Sequence, residues 1–213
     1  MNVPRYYYKD EPDSFKTLYD YMPQSCFRLL ISGMSGSGKT NLLIHMLLKP
    51  LVYYDKIYIY AKNLEQSKYQ LLIDKMNKIA TKNEVLLDDI IESSNDEIIP
   101  VSEMDSECQK VIVFDDYVCE KNQNDIIDYF IRGRHKNCCV IYLTQSYYKT
   151  PKDIRLNCSH YIFFETPSKR EADSICNEQT IDKNLFHFKK EYDFIYLDKP
   201  RKLIKRNFYG EVI

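Results

Sequence analysis

Glycine is scarce in this chain: 5 among 213 residues, about a third of the roughly 7% found in an average protein. Unusual backbone turns must therefore be few, and three of the five glycines, Gly33, Gly36 and Gly38, fall within six consecutive positions. Long apolar runs are missing as well. No segment approaches the roughly 18 apolar residues of a spanning helix, so no membrane partner is expected. Net charge is close to absent, −1 at pH 7, so bulk electrostatics do not announce a nucleic-acid binder and any DNA contact must be local. The sequence has no C-x-x-C pair. Its 7 cysteines, Cys26, Cys108, Cys119, Cys138, Cys139, Cys158 and Cys176, are odd in number and mostly sit in or beside apolar runs. That pattern argues against a disulfide framework and predicts reduced, buried thiols rather than zinc ligands. The residues Met1–Arg5 carry no apolar signal core, and Asn2 stands where myristoylation needs glycine, so an intracellular, reducing location is expected.

What is present is ordinary globular material, 44% hydrophobic and 29% charged, enough for one generous domain. Residues 1–25, with Tyr6-Tyr7-Tyr8, Pro12 and Pro23, hold no sustained period and read as an arm; residues 26–213 read as a single domain. The tyrosine cluster is expected to pack on that domain, with base stacking or docking on a neighbouring molecule as the alternatives. Phe27–Ile31 predicts a buried strand ended by Ser32 and Gly33, and Leu42, Leu43, Met46 and Leu47 recur at helical spacing up to Pro50. Lys56–Tyr60 predicts a second strand and Leu64–Ile79 a second helix. A short helix is expected around Leu86–Ile91, before a loop carrying Pro100. Val111–Phe114 is the continuous apolar run of a strand covered on both faces, and it ends on two carboxylates. Ile126, Ile127, Phe130 and Ile131 mark a helix face, Cys139–Leu143 and Tyr161–Phe164 two more strands, Glu171–Asn177 a helix, and residues 192–208 a terminal hairpin. Strands alternating with helices predict an α/β domain around a mostly parallel sheet with right-handed crossovers.

The residues Gly33-Met34-Ser35-Gly36-Ser37-Gly38-Lys39-Thr40 fit G-x-x-x-x-G-K-[ST] between a predicted strand and a predicted helix. Such a loop turns backbone N–H groups around a polyphosphate, and the helix amino terminus beyond it adds the positive end of its dipole. The expected nucleotide-binding set is therefore Gly33 to Thr40 with Asn41 following, the nucleotide ATP and the ion Mg²⁺. Lys39 reaches the β and γ phosphates, and the Thr40 hydroxyl is a metal ligand. Asp115 and Asp116 follow the Val111–Phe114 run, where open α/β sheets bind ligands. Asp115 is expected in the metal shell and Asp116 as the base that polarises the attacking water. Gln145, at the tip of the strand ending in Leu143 and Thr144, is expected to order that water. Arg132 and Arg134, within Arg132-Gly133-Arg134-His135, are candidate arginine fingers, and Arg155 is their rival. Lys199, Arg201, Lys202, Lys205 and Arg206 form a basic stretch that fits phosphate contact or a lysine-protected edge strand equally well.

Gly33–Thr40, Val111–Asp116, Arg132–His135 and the Gln145 strand tip followed by Ile154-Arg155-Leu156-Asn157 occur in that order. In this set the chain resembles the HerA/FtsK superfamily of P-loop ATPases, in particular the poxvirus-type genome-packaging ATPases of large DNA viruses, virophages and Polinton-like elements. The resemblance implies a RecA-like core of the ASCE type, a three-layer sandwich with a C-terminal β-hairpin and one strand inserted between the phosphate-loop strand and the Asp115 strand. It also implies ATP-driven movement of double-stranded viral DNA into a capsid by a homo-oligomeric ring. A capsid or portal-vertex protein is then a partner, and the host cytoplasm, a viral factory or the virion is the setting. It favours Arg134 as the finger acting in trans, with Arg155 second.

Size supports the ring. A globule of this length has a radius of gyration of about 17 Å, too compact to hold a duplex-wide channel by itself. Two other functions fit the loop: a small nucleoside or nucleotide kinase, and an assembly scaffold gated by nucleotide with little turnover. The Asp115–Asp116 pair and the glutamine strand tip stand where a kinase would carry an arginine-rich lid.

Overall fold

Apolar runs covered on both faces and apolar stripes at helical spacing sort this chain into a sheet and its flanking helices. The computed structural model describes residues 19, 21–23, 26–49, 51–84, 86–89, 91–94, 98–117, 123–166 and 168–210. The Tyr6-Tyr7-Tyr8 cluster, Pro12 and Cys119 lie outside them.

The phosphate-loop strand is β1 (Arg28–Ser32), followed by α1 (Lys39–Leu48), β2 (Lys56–Ala61) and α2 (Ser67–Lys82). After a 3₁₀ turn at Leu87–Asp89 come β3 (Ile91–Ser94), a second 3₁₀ turn at Val101–Glu103, and β4 (Lys110–Asp115). The helix α3 (Asn124–Arg132) and a 3₁₀ turn at Gly133–Lys136 lead into β5 (Cys138–Thr144), α4 (Lys152–Asn157), β6 (His160–Phe163) and α5 (Lys169–Gln179). The hairpin β7 (Ile195–Asp198) and β8 (Leu203–Arg206) completes the order. The 8 strands form one sheet in the order β3-β2-β4-β5-β1-β6-β7-β8. Pairing is parallel from β3 through β6 and antiparallel across β6, β7 and β8. The strand β5 lies between β1 and β4, as the family resemblance implies.

Alternation along the strands builds two cores. Leu29, Ile31, Ile57, Ile59, Val111, Val113, Ile141 and Leu143 pack with Leu43, Met46 and Leu47 of α1 and Tyr69, Leu72 and Met76 of α2. Their neighbours Leu30, Tyr58, Tyr60, Ile112, Phe114, Val140 and Tyr142 pack with Ile126, Tyr129 and Phe130 of α3, Ile154 of α4 and Ile175 of α5. Helices cover both faces, giving the three-layer sandwich. Met22, inside the span read as an arm, is 1% exposed and belongs to the first core.

Several local expectations are corrected. The short helix expected around Leu86–Ile91 is a 3₁₀ turn, and Ile91–Ser94 pairs parallel with β2 as an edge strand. Its sequence, Ile-Glu-Ser-Ser, has one apolar residue and no strand alternation, so pairing with β2 rather than local preference sets its conformation. The helix expected from Leu64 starts at Ser67, because Asn63 Oδ1 accepts from the Glu65 N–H (3.1 Å) and Leu64 O accepts from Gln70 Nε2 (3.0 Å) in the turn before it. Ile131 is 44% exposed, and the buried side of α3 is Ile126, Tyr129 and Phe130. The helix α4 follows Pro151, whose fixed φ suits a helix start. Cys138, Cys139 and Cys158 are buried free thiols, while Cys26, Cys108 and Cys176 are half-buried free thiols.

Asp198 is fully buried and ties the hairpin down: Arg201 Nε donates to its Oδ2 at 2.5 Å, and His160 Nε2 lies 3.4 Å from the same oxygen. Burial alone would raise the Asp198 carboxyl, but the bonds from His160 and the Arg201 backbone hold it down, to about 2.

Candidate functional site

Three parallel strands end at one edge of the sheet, and their register brings the chemistry together. Ser32 of β1 stands opposite Thr144 of β5, and Leu143 of β5 opposite Asp115 of β4. The segments that follow these strands are therefore neighbours: the glycine loop, Asp116 and Gln145. A cavity of about 200 Å³ lies there, lined by Ser35, Gly36, Gly38, Lys39, Thr40, Gln66, Lys68, Asp115, Asp116, Leu143, Thr144 and Gln145.

The loop leaves β1 with Gly33 N–H donating to Thr144 O (3.3 Å) and Met34 N–H to Glu165 O (3.3 Å). A Cβ at position 33 would stand 2.6 Å from Phe164 Cβ, so close approach, rather than backbone freedom, requires glycine there. Gly38, with φ +100, occupies the N-cap of α1 and is left-handed, a conformation that strains a side-chain-bearing residue. The first turn of α1 carries no acidic residue, so its dipole end is not neutralised. Lys39 is 8% exposed, its Nζ donating to Gly33 O at 2.7 Å and Met34 O at 2.9 Å. Burial lowers the pKa of this amine, and the charges of Asp115 and Asp116 partly restore it. The Ser37 Oγ is buried without a hydrogen-bond partner among the described residues, a hydroxyl left over inside the loop. Met34 and Ser37 line a neighbouring cavity with Ser35 and Gly36. Asn41 is exposed on α1 and lines neither cavity.

Across the cavity, Tyr69 of α2 donates its hydroxyl to Asp115 Oδ2 at 2.5 Å. Burial pushes the Asp115 carboxyl upward; the Tyr69 bond opposes this and the Asp116 charge adds to it. Asp116 is exposed and left-handed, with φ +64. Gln145 is exposed in a loop whose next residue is latched to α5: Ser146 Oγ donates to Glu171, and Glu171 Oε2 also accepts the Tyr148 N–H at 3.1 Å.

The arginines lie elsewhere. Arg134 is exposed in the 3₁₀ turn before β5. The 7 residues of β5, at about 3.3 Å each, separate it from the cavity by about 20 Å, beyond the reach of its own side chain. Arg155 is engaged within its chain: it pairs with Glu178 at 2.7 Å, donates through Nε to Thr150 O at 3.0 Å, and lies 5.0 Å above the Tyr147 ring. Three of the five basic hairpin residues have partners of their own. Lys199 donates to Tyr161 Oη, Arg201 binds Asp198 and the carbonyls of Tyr21 and Met22, and Arg206 donates to Leu185 O over the Phe188 ring. The side chains of Lys202 and Lys205 make no hydrogen bond or ion pair among the described residues. Gln66, Lys68 and Tyr69 are site residues that sequence reasoning missed. The available signal is topological, since the segment after β2 must reach the same edge of the sheet.

Among the described residues, no helix is long and apolar enough to cross a membrane, and no three His, Cys, Asp or Glu residues gather as a metal cluster. The DNA packaging proteins OPG160 of Vaccinia virus (strain Western Reserve) and Variola virus are each 27% identical to this chain over 143 residues, covering 65% of it and 53% of each relative. The chain thus spans about half the length of these relatives. The genome packaging NTPase B204 of Sulfolobus turreted icosahedral virus 2, solved with ATP-gammaS, has the same fold: TM-score 0.61 at 16% identity, covering 88% of this chain and 98% of that one. VirB4 of Thermoanaerobacter pseudethanolicus shares it too, with TM-score 0.58 at 10% identity over 87% of this chain and 89% of that one. The family model described as Poxvirus A32 protein matches residues 15–204, nearly the whole sequence including every element that builds the cavity, and the chain belongs to that family.

Proposed function

We propose that this chain is a Mg²⁺-dependent ATPase that drives double-stranded viral DNA into a capsid, working as a homo-oligomeric ring docked on a capsid or portal-vertex protein. The observation that carries this reading is the convergence of the glycine loop, the Asp115–Asp116 strand end and Gln145 on one cavity, in a chain of the Poxvirus A32 family. The relatives named DNA packaging protein supply the direction of the chemistry.

In this reading the N–H groups of Gly33 to Thr40 cradle the phosphates. Lys39 exchanges its two carbonyl partners for β and γ oxygens, Asp116 takes the proton of the attacking water, and Gln145 orients that water. Thr40 and Asp115 fit Mg²⁺: both are hard oxygen donors on one cavity, and this ion is usually held by one or two carboxylates together with substrate phosphates. Bound there, it neutralises charge on the β and γ phosphates. Tyr69 positions Asp115 through its 2.5 Å hydrogen bond. Tyr69→Phe is expected to raise the Mg²⁺ concentration needed for tight ATP-gammaS binding about tenfold, the cost of losing an outer hydrogen bond to a metal ligand. An unchanged Mg²⁺ titration removes Tyr69 from the machinery.

Arg134 cannot reach its own cavity, which suits a finger inserted into a neighbour's. Arg155, already paired with Glu178, does not suit that task. For DNA the cations of choice are Lys202, which is exposed, and the half-buried Lys205, with the other three hairpin residues holding the fold.

The test is phosphate release from ATP with and without double-stranded DNA, then with nucleosides. Stimulation by DNA supports the motor; transfer to a nucleoside makes the chain a kinase, and binding without turnover makes it a scaffold. Mixing Arg134→Ala subunits into wild type is expected to lower turnover by more than their share of the mixture. A strictly proportional loss removes the trans finger.

A further inference from the structure

Behind the glycine loop, away from Asp115 and Gln145, lies the neighbouring cavity of about 220 Å³. Ser35 and Gly36 line both cavities, so one molecule lying across the loop can occupy both. Together they fall in the range of roughly 300–1,000 Å³ usual for small-molecule sites. Their chemistry differs. The first offers a lysine, two aspartates and a glutamine; the second is built on the rings of Phe164, Phe188 and Tyr192. Its rim carries the carboxylates of Glu165, Glu191 and Asp193 against one cation, Lys190. Such a rim repels phosphate and leaves an uncharged aromatic group as the part of a nucleotide that fits.

Tyr192 is the unusual member. Its φ is +66, an outlier for a bulky residue, and strain of this kind concentrates at ligand clamps and switch regions. Burial does not compensate it, since the residue stays 58% exposed. The ring instead stands over the loop: a Cβ on Gly38 would lie 3.1 Å from its Cδ1. A strained backbone thus holds an exposed aromatic face beside the phosphate cradle.

We propose that this second cavity is the base subsite of the nucleotide, with Tyr192 stacking on the base and Phe164 and Phe188 completing the slot. This rests on the nucleotide reading above and adds to it a specificity element from a distant part of the chain. The loop then holds the charged end and the residues before β7 hold the aromatic end.

The test measures equilibrium binding of ATP-gammaS and of inorganic tripolyphosphate to the full chain and to Tyr192→Gly, Tyr192→Asn and Tyr192→Phe. Glycine and asparagine both accept a left-handed backbone, so a loss common to the two reports the missing ring rather than a distorted turn. Both should weaken ATP-gammaS about tenfold or more, as expected for one lost base–aromatic stack, and leave tripolyphosphate affinity in place. Tyr192→Phe should bind both ligands as wild type does. Equal weakening of the two ligands overturns the proposal, because Tyr192 then only shapes the loop, and so does unchanged ATP-gammaS affinity. If the wild-type chain binds neither ligand, the nucleotide reading itself fails and the base subsite falls with it.

Discussion

Lys39→Ala is expected to lower the kcat/KM for ATP by about 10⁴-fold while the chain stays folded. Two losses combine. A hydrogen bond to a charged group contributes about 1.5–3 kcal/mol, and removing one preorganised donor from a developing charge costs about 10²–10³ in rate. The resting geometry explains why folding survives. Lys39 Nζ is bonded to the loop carbonyls Gly33 O and Met34 O, and burial already disfavours its charge. Alanine therefore removes a desolvated cation along with its bonds, and the net effect on stability should stay near 1 kcal/mol. Phosphate release and ATP-gammaS binding read the large effect, and thermal unfolding reads the small one. Turnover by Lys39→Ala at even a tenth of the wild-type rate would show that the loop does not carry the phosphates.

The glycine loop is legible in the sequence because its signal is local: three glycines, the lysine and the hydroxyl all fall within eight consecutive residues, Gly33–Thr40. Asp115 and Asp116 are legible for a related reason, since an apolar run that ends on carboxylates places them at a strand end. Tyr69 is not, because its partner is 46 positions away and only the pairing of β2 with β4 brings the start of α2 over Asp115. Gln66 and Lys68 share that cause. Arg155 reads as a free arginine until the fold sets α5 beside it and Glu178 takes its charge. The same holds for Arg201, whose partner Asp198 is three residues away but becomes a buried anion only when β7 packs on β6. Residue type announces chemistry, and the assembled sheet decides whether that chemistry faces a cavity or is spent on the fold. Tyr192 carries no local signal, because nothing in its neighbours announces a left-handed backbone.

Asp116→Asn is expected to lower turnover by about 10³-fold, within the roughly 10²–10⁴ span of general acid–base catalysis, without weakening ATP-gammaS binding. The backbone makes asparagine the informative replacement. Asp116 has φ +64 and its N–H lies 3.5 Å from Leu143 O, and asparagine is among the few residues that tolerate a left-handed turn. The amide keeps the size and the turn but cannot accept the water proton, so the loss isolates the carboxylate. Asp116→Ala adds strain of about 1–2 kcal/mol at the same position and should lower the melting temperature where Asp116→Asn does not. Asp115→Asn should fail differently. That residue lies beneath the Tyr69 hydroxyl on the inner wall of the cavity, and its loss should appear first as a raised Mg²⁺ requirement for binding. Two adjacent aspartates thus separate by experiment into one that acts on the metal and one that acts on the water. If Asp116→Asn weakens binding as much as turnover, Asp116 belongs to the metal shell and the base must be sought in a neighbouring subunit, since the amide of Gln145 cannot take the proton either.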